Sequence, residues 1–348
     1  MKVGIITASR TDNNGTDLQA LAMQLIFKKE GYDAELIDYI CPKLESGKKL
    51  FYPKTVRGFL SIPHRIFQHI SHQKFRRKFF RKSSRCYDAS NLQSNDYDAV
   101  VAGSDQIWNL QLTGNDLSFF LPYKHPDQIK FSYAASLGKT DISDWERTHG
   151  LSKYLRDFRG VSIREESGIH AMAEIGITAR ADLDPLLMVE RNIWDRYVAS
   201  KRRKRGYVFV YAIDRVGESI RYAKEYARTH GLDVILCGNP LRPLPGVKVR
   251  RFMGVQQWLR HIADAELIVT NSYHGLAFAV NYHKKFSVLW LRNSIQTNDR
   301  LENLLKMIGA GTYEEGAICD PDWELVETRL RTKRLDAQAY IRRMLEER

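Results

Sequence analysis

The chain has 348 residues, 43% of them hydrophobic and 27% charged. That is too long for one ordinary core, suits two domains, and excludes a disordered chain. The net charge of +13 leaves anionic partners open, while no run of about 18 apolar residues is present to form a membrane-spanning helix. Cys41, Cys86, Cys237 and Cys319 lie far apart with no metal-like spacing, so four unpaired thiols in a reducing cytoplasm are expected, with no metal and no cofactor. MKVGIITASR reads as a short strand rather than a signal peptide.

In chain order, residues 2–8 predict a strand, 17–30 a helix ended by Gly31, and 34–40 a second strand, the opening of a doubly wound sheet. Residues 43–95 break this rhythm as a helical, basic insertion. It holds KFRRKFFRKSSR at Lys74–Arg85, where Phe75, Phe79 and Phe80 interleave with cations. That pattern fits a basic amphipathic helix on an anionic membrane, and fits equally a segment packed on the first domain with solvated charges. No nucleic-acid-binding motif accompanies it.

Strands follow at 98–102, 130–135, 161–164 and 180–188, with helices near 143–158 and 167–175. The basic run 199–205 marks a boundary. Strands at 207–213, 233–237, 247–251, 266–270 and 286–291 then alternate with helices at 217–230, 255–264 and 275–283. The fold class is therefore α/β, with two Rossmann-like domains facing a cleft. Domains are expected at 1–198 and 206–320, with a C-terminal helix over 321–348 that packs outside and crosses back to the first half.

Ligands of such sheets gather where strands end and helices begin. Four segments fall there. Asn13-Asn14-Gly15-Thr16 follows the first strand, where helix-start amides favour an anion or a hydroxyl-rich ligand, or simply cap the helix. Gly103-Ser104-Asp105-Gln106 brings a carboxylate to the strand edge. Arg164 ends a strand and either forks onto a carboxylate or phosphate, or pairs with Glu165, Glu166 or Asp184. Thr270-Asn271-Ser272-Tyr273-His274-Gly275 sets His274 at a helix N-terminus, where dipole and amides favour an anion.

The segments NNGTDLQALAMQ, VVAGSDQIWN, SYAASLG, SIREESG, DLDPLL and TNSYHGLAFAV resemble, in order over residues 1–310, the motifs of the polysaccharide pyruvyltransferase family. The resemblance implies a GT-B-like fold and transfer of a pyruvyl unit from phosphoenolpyruvate to a sugar as a ketal, with loss of phosphate. It implies a place in capsular or exopolysaccharide synthesis, on an acceptor linked to polyprenyl diphosphate at the inner membrane face. It also implies that Arg164 and His274 contact the donor. Asp105 would take a proton from the acceptor hydroxyl, with Asn14, Gly15, Ser104, Gln106, Ser272, Tyr273 and Gly275 lining the site.

Some branches of the family carry an arginine where this chain has Ser272, so Arg292, Arg300 or Lys285 would supply that cation. Many closer relatives have Asp at the position of Asn271. Two other classes fit the same pattern. A GT-B nucleotide-sugar glycosyltransferase would use an acidic residue near Glu302 for the ribose. A non-catalytic sugar- or anion-binding protein would need neither His274 nor Asp105 as a reacting group.

Overall fold

The computed structural model describes residues 1–45, 59–138, 141–199, 206–240, 242–292 and 298–346. The run Lys201–Arg205, read from sequence as a boundary, lies outside them. The chain divides into two compact units, Met1–Ser46 with Lys78–Val189 and Leu330–Arg348, and Gly47–Arg77 with Glu190–Arg329.

In the first unit the described strands are β1 (Lys2–Ile6), β2 (Asp33–Tyr39), β3 (Lys82–Tyr87), β4 (Ala99–Ala102), β5 (Ile129–Ser132), β6 (Val161–Ile163) and β7 (Ala179–Ala181). The first five form a parallel sheet in the order β3-β2-β1-β4-β5, and β6 pairs with β7. Bridges Phe131–Gly160 and Ala135–Ile163 join β5 to β6. Val3, Ile5, Val100 and Val101 are wholly buried, as continuous apolar strands covered on both faces must be.

Helix α1 (Asn14–Lys29) starts three residues ahead of the sequence expectation because Asn13 caps it, accepting from the Gly15 and Thr16 amides at 2.9 and 3.2 Å. The expected strand over 180–188 stops at β7. Asp184 then caps a helical turn with Pro185 in its first position, where the missing amide costs nothing. The expected helix over 143–158 is broken at Gly150, whose φ of 59° is left-handed.

The second unit repeats the plan with β8 (Tyr207–Tyr211), β9 (Asp233–Cys237), β10 (Lys248–Arg250), β11 (Leu267–Thr270) and β12 (Lys285–Val288). Their parallel order is β10-β9-β8-β11-β12. Besides helix α2 (Ile62–Phe79), which belongs to it up to Arg77, it contains α3 (Val216–His230), α4 (Val255–Ala263), α5 (Tyr273–Asn281) and α6 (Asp299–Met307). Helix α7 (Trp323–Glu346) begins in the second unit, where His283 stacks on Trp323. It ends in the first, where the Tyr340 hydroxyl donates to the Ser132 carbonyl at 3.0 Å and Arg342 reaches Glu30 at 2.6 Å. The expected crossing back is thus observed. Among the described residues no helix is long and apolar enough to cross a membrane.

Two boundaries differ from the sequence reading. The insertion 43–95 is not one body, because Lys82–Tyr87 becomes the edge strand of the first sheet while the segment up to Arg77 belongs to the second unit. Residues 190–199 also join the second unit. Trp194 is fully buried with its ring edge-on to Phe278 at 5.1 Å, and the Ala199 amide donates to the Gln256 carbonyl. Trp194→Ala should therefore destabilise the second unit by about 3–5 kcal/mol. Chemical denaturation followed by a probe in that unit checks this, and a loss below about 1 kcal/mol would refute the reassigned boundary.

Candidate functional site

In each sheet the strand order reverses once at an interior pair, between β1 and β4 in the first unit and between β8 and β11 in the second. Loops leaving two such strands turn to opposite faces, so the crevice at their carboxyl ends is where ligands of open α/β sheets bind. Three of the four singled-out segments lie on loops leaving these four strands.

In the first unit Asp105 is held by its neighbours. Thr16, in the first turn of α1, donates its hydroxyl to Asp105 Oδ2 at 2.8 Å, and the Gln106 amide donates to Oδ1 at 2.8 Å. The Asp105 backbone has a left-handed φ of 71°. Its carbonyl accepts from the Ser136 amide at 2.9 Å, which continues the β4 ladder toward β5. Gly103 is required here. With φ +144°, a Cβ would lie 2.0 Å from the Tyr133 carbonyl oxygen.

Below this loop Gln19 donates to the Thr7 hydroxyl at 2.8 Å, and Thr7 donates to the Ser104 carbonyl at 2.9 Å. A polar relay thus ties α1, β1 and the Asp105 loop together. Asn14 and Gly15 stand in the first turn of α1, both buried. The buried Oγ of Ser9 and Oδ1 of Asn14 have no hydrogen-bond partner among the described residues.

Two of the residues expected to line the site, Ser104 and Gln106, are buried in this unit. Ser104 is wholly buried and donates its hydroxyl to the Ala134 carbonyl at 2.6 Å, so it fixes the loop rather than meeting a substrate. Gln106 is packed under Gly138, where an added Cβ would sit 2.9 Å from its amide nitrogen. Arg164 takes the alternative that its sequence left open. Its side chain is 2% exposed and donates to Asp184 Oδ2 at 2.9 Å, a carboxylate with no exposed side-chain surface. The same Asp184 accepts the Leu186 amide, so the ion pair locks the DLDPLL turn to β6. Glu165, its neighbour, accepts from the Ser136 hydroxyl.

In the second unit β11 delivers Thr270 to Gly275. Ser272 caps α5 in extended backbone, accepting from the Gly275 amide at 3.4 Å. Gly275 is necessary because a Cβ would meet Thr270 Oγ1 at 2.5 Å, and that hydroxyl is engaged with the Tyr211 carbonyl at 2.6 Å. His274 and Tyr273 occupy the first turn of α5, and their rings meet edge-to-face at 5.8 Å. Arg300 from α6 lies over the Tyr273 ring at 5.8 Å and is 7% exposed. Dipole, helix-start amides and guanidinium converge on the same end of α5, an arrangement that stabilises an anion.

Arg292, on the loop that leaves β12, is held through its backbone. Its amide donates to Asp214 Oδ2 at 3.0 Å, while Asn271 donates to the Asp214 carbonyl at 2.7 Å. The side chain is 66% exposed, with Glu218 3.8 Å away. Lys285 is excluded as a substitute for the arginine absent at Ser272. It pairs with Leu267 at the amino ends of β11 and β12 and forms a 3.4 Å contact with Asp320, which raises its pKa. Glu302, suggested for a ribose, is exposed on α6 beside buried Leu301.

Sequence reasoning missed Asp214 and Arg215. Arg215 binds Glu218 and Glu315 and donates to the Trp290 carbonyl at 2.9 Å. They follow β8 as Asn13 follows β1, so the rule that singled out the first loop reaches them too. All four thiols are raised by burial, Cys41 to about 11 and Cys237 to about 12. None is therefore an activated nucleophile at neutral pH.

A model of the polysaccharide pyruvyl transferase family matches residues 13–293. The chain belongs to that family, and it is a transferase of polysaccharide biosynthesis. None of the curated proteins matches it. Among solved structures it is similar to a putative UDP-N-acetylglucosamine 2-epimerase from Listeria monocytogenes, at 11% identity and TM-score 0.53, covering 99% of this chain and 90% of that one. It is also similar to UDP-GlcNAc 2-epimerase from Neisseria meningitidis, at 12% identity and TM-score 0.50, with full coverage of both. An alpha-glucosyltransferase bound to UDP and DNA is similar at 12% identity and TM-score 0.51, covering 99% and 93%. These likenesses establish the GT-B-like α/β fold of the transferase.

The Arg164–Asp184 pair generates a test. Removing one partner of a buried ion pair typically costs about 3–5 kcal/mol. Arg164→Ala and Asp184→Ala should each lower the stability of the first unit by that order, and the double variant by less than the sum. Arg164→Ala with unchanged stability and weakened donor binding would return Arg164 to the donor site.

Proposed function

We propose that the transferase moves the pyruvyl unit of phosphoenolpyruvate onto two hydroxyls of a sugar, forming a cyclic pyruvate ketal and releasing phosphate. The observation that carries this reading is the contrast between the two switch points. The first presents a fixed carboxylate, Asp105, on the loop leaving β4, and, on the segment leaving β1, buried oxygens of Ser9 and Asn14 without a hydrogen-bond partner among the described residues. Buried polar atoms left unpaired cost roughly 1–3 kcal/mol each, and in a ligand loop such atoms receive hydroxyl donors. The second presents a helix N-terminus with His274 and Arg300, suited to carboxylate and phosphate. On this reading the acceptor binds at the first unit's switch point and the donor at the second's.

In the proposed step a proton goes to the methylene carbon and creates an oxocarbenium-like centre. The first sugar hydroxyl adds there and loses its proton, and the second displaces phosphate, its proton leaving on the departing phosphate. Protonated His274 supplies the acid or clamps the phosphate, and Asp105 receives the hydroxyl proton. The hydrogen bonds from the Thr16 hydroxyl and the Gln106 amide hold the Asp105 carboxylate in place for that role. Arg300 and Arg292 provide the cationic grip in place of the arginine absent at Ser272. A phosphoenolpyruvate donor fits a cytoplasmic enzyme, and a polyprenyl-diphosphate-linked acceptor fits action at the membrane face. Nothing in this scheme calls for a metal or a further cofactor.

A second reading, sugar transfer from a nucleotide sugar, draws support from the UDP and UDP-GlcNAc named in the similar solved structures. Phosphate release from phosphoenolpyruvate with lipid-linked sugar acceptors, run beside UDP release from UDP-sugars, separates the two. Phosphate release alone is expected. His274→Gln should cut turnover by about two orders of magnitude, the roughly 3 kcal/mol of a lost contact to developing charge. Asp105→Asn should cut kcat by a similar order while leaving the KM for phosphoenolpyruvate within about twofold. A collapse of donor affinity in Asp105→Asn would move that residue from acceptor to donor.

A further inference from the structure

The second unit carries an apolar stripe that neither proposed substrate site uses. Leu60, Pro63, Phe67 and Ile70 are exposed on and just ahead of α2, at spacings of three, four and three residues. Such spacing aligns them along one helix face. The residues buried on α2 are His72, Phe75 and Arg76, while Phe67 and Ile70 are exposed and Ile62, Ile66 and Phe79 half-buried, so this helix leaves two large apolar side chains in solvent while turning an arginine inward. Phe59 and Phe252, 64% and 53% exposed, belong to the same set. The Phe252 ring stands edge-on to Phe67 at 5.2 Å and lies 6.2 Å from His64.

Charge within the two segments that carry these residues has one sign. The chain has no acidic residue between Glu45 and Asp88, nor between Asp233 and Asp264. The exposed face of α2 continues into Lys74, Arg77 and Lys78, and Phe252 directly follows Arg250 and Arg251. Lys74–Arg85 left open both a lipid-facing segment and one packed on the first domain, and part of it is packed. Phe75 is only 4% exposed and Lys82–Tyr87 is strand β3, so neither is available for insertion.

We propose that the Leu60–Ile70 stripe with Phe252 is a docking surface for an anionic lipid bilayer. Single exposed apolar residues are ordinary, whereas an apolar row bordered by cations, on segments that hold no acidic residue, matches the acyl boundary and headgroups of such a surface. A nucleic acid would satisfy the cations and leave the aliphatic residues in water. A second copy bound through the same face would bring like charges together. The inference does not depend on which donor or acceptor the transferase uses.

The test is co-sedimentation of the full chain with vesicles of phosphatidylcholine alone or with phosphatidylglycerol. Binding to the anionic vesicles is expected, weakening as salt rises. A Phe67→Ser, Ile70→Ser, Phe252→Ser triple variant should bind about tenfold less while melting like the wild type. A Lys74→Gln, Arg77→Gln, Lys78→Gln variant should lose the preference for anionic over neutral vesicles, which keeps the test decisive if the first variant is unstable. The proposal is overturned by absent wild-type binding, by equal binding of wild type and both variants, or by wild-type self-association that the triple variant abolishes.

Discussion

The Thr16–Asp105 hydrogen bond is the contact on which the organisation of the first unit's site depends. It joins the first turn of α1 to the loop leaving β4, at the place where the strand order reverses. Parallel strands need crossover connections, and right-handed crossovers place the helices after β1 and β4 on opposite faces. The two loops diverge as a consequence, and the space between them has no backbone to fill it. A residue presented there must be held from the side. Thr16 does this, and the relay through Gln19, Thr7 and the Ser104 carbonyl fixes the loop that presents Asp105.

The second unit solves the same geometric problem with different chemistry. Asn271 and Asp214 tie the loop after β11 to the loop after β8, as Thr16 and Asp105 tie their counterparts. The group presented is not a carboxylate but the start of α5 with its histidine. Asp214 is used up internally, accepting from Arg292 and Asn271, so its charge is spent on positioning. Here Asn271 matters: an amide both accepts from the Ile213 amide at 2.7 Å and donates to Asp214. An Asp at the same position would set two carboxylates against each other.

Much of this was legible in the sequence, and the reasons are local. Strand positions follow from apolar runs, and the site loops follow from caps and glycines whose demands are steric: Asn13, Gly103, Ser272, Gly275. What the sequence concealed depends on partners far along the chain. Arg164 reads equally as a ligand grip or an ion pair, and only the folding of DLDPLL back onto β6 chooses Asp184. Lys285 reads as a cation near the site. A parallel register that sets it beside Leu267 sends it to the wrong end of the sheet. The helical insertion failed for another reason. Periodicity marks a face of α2 as apolar without saying whether that face turns inward.

The inverted burial of α2 has a physical meaning beyond its failure as a pattern. A helix that buries His72 and Arg76 while exposing Phe67 and Ile70 loses hydrophobic stabilisation it would gain by rotating half a turn. Rotation would carry Lys74, Arg77 and Lys78 into the interior in addition to Arg76, which is already buried, and the surrounding segment supplies no carboxylate between Glu45 and Asp88. The outward apolar row and the absence of acidic residues are two aspects of one sequence choice, and that choice is what a partner of opposite charge and apolar depth would select.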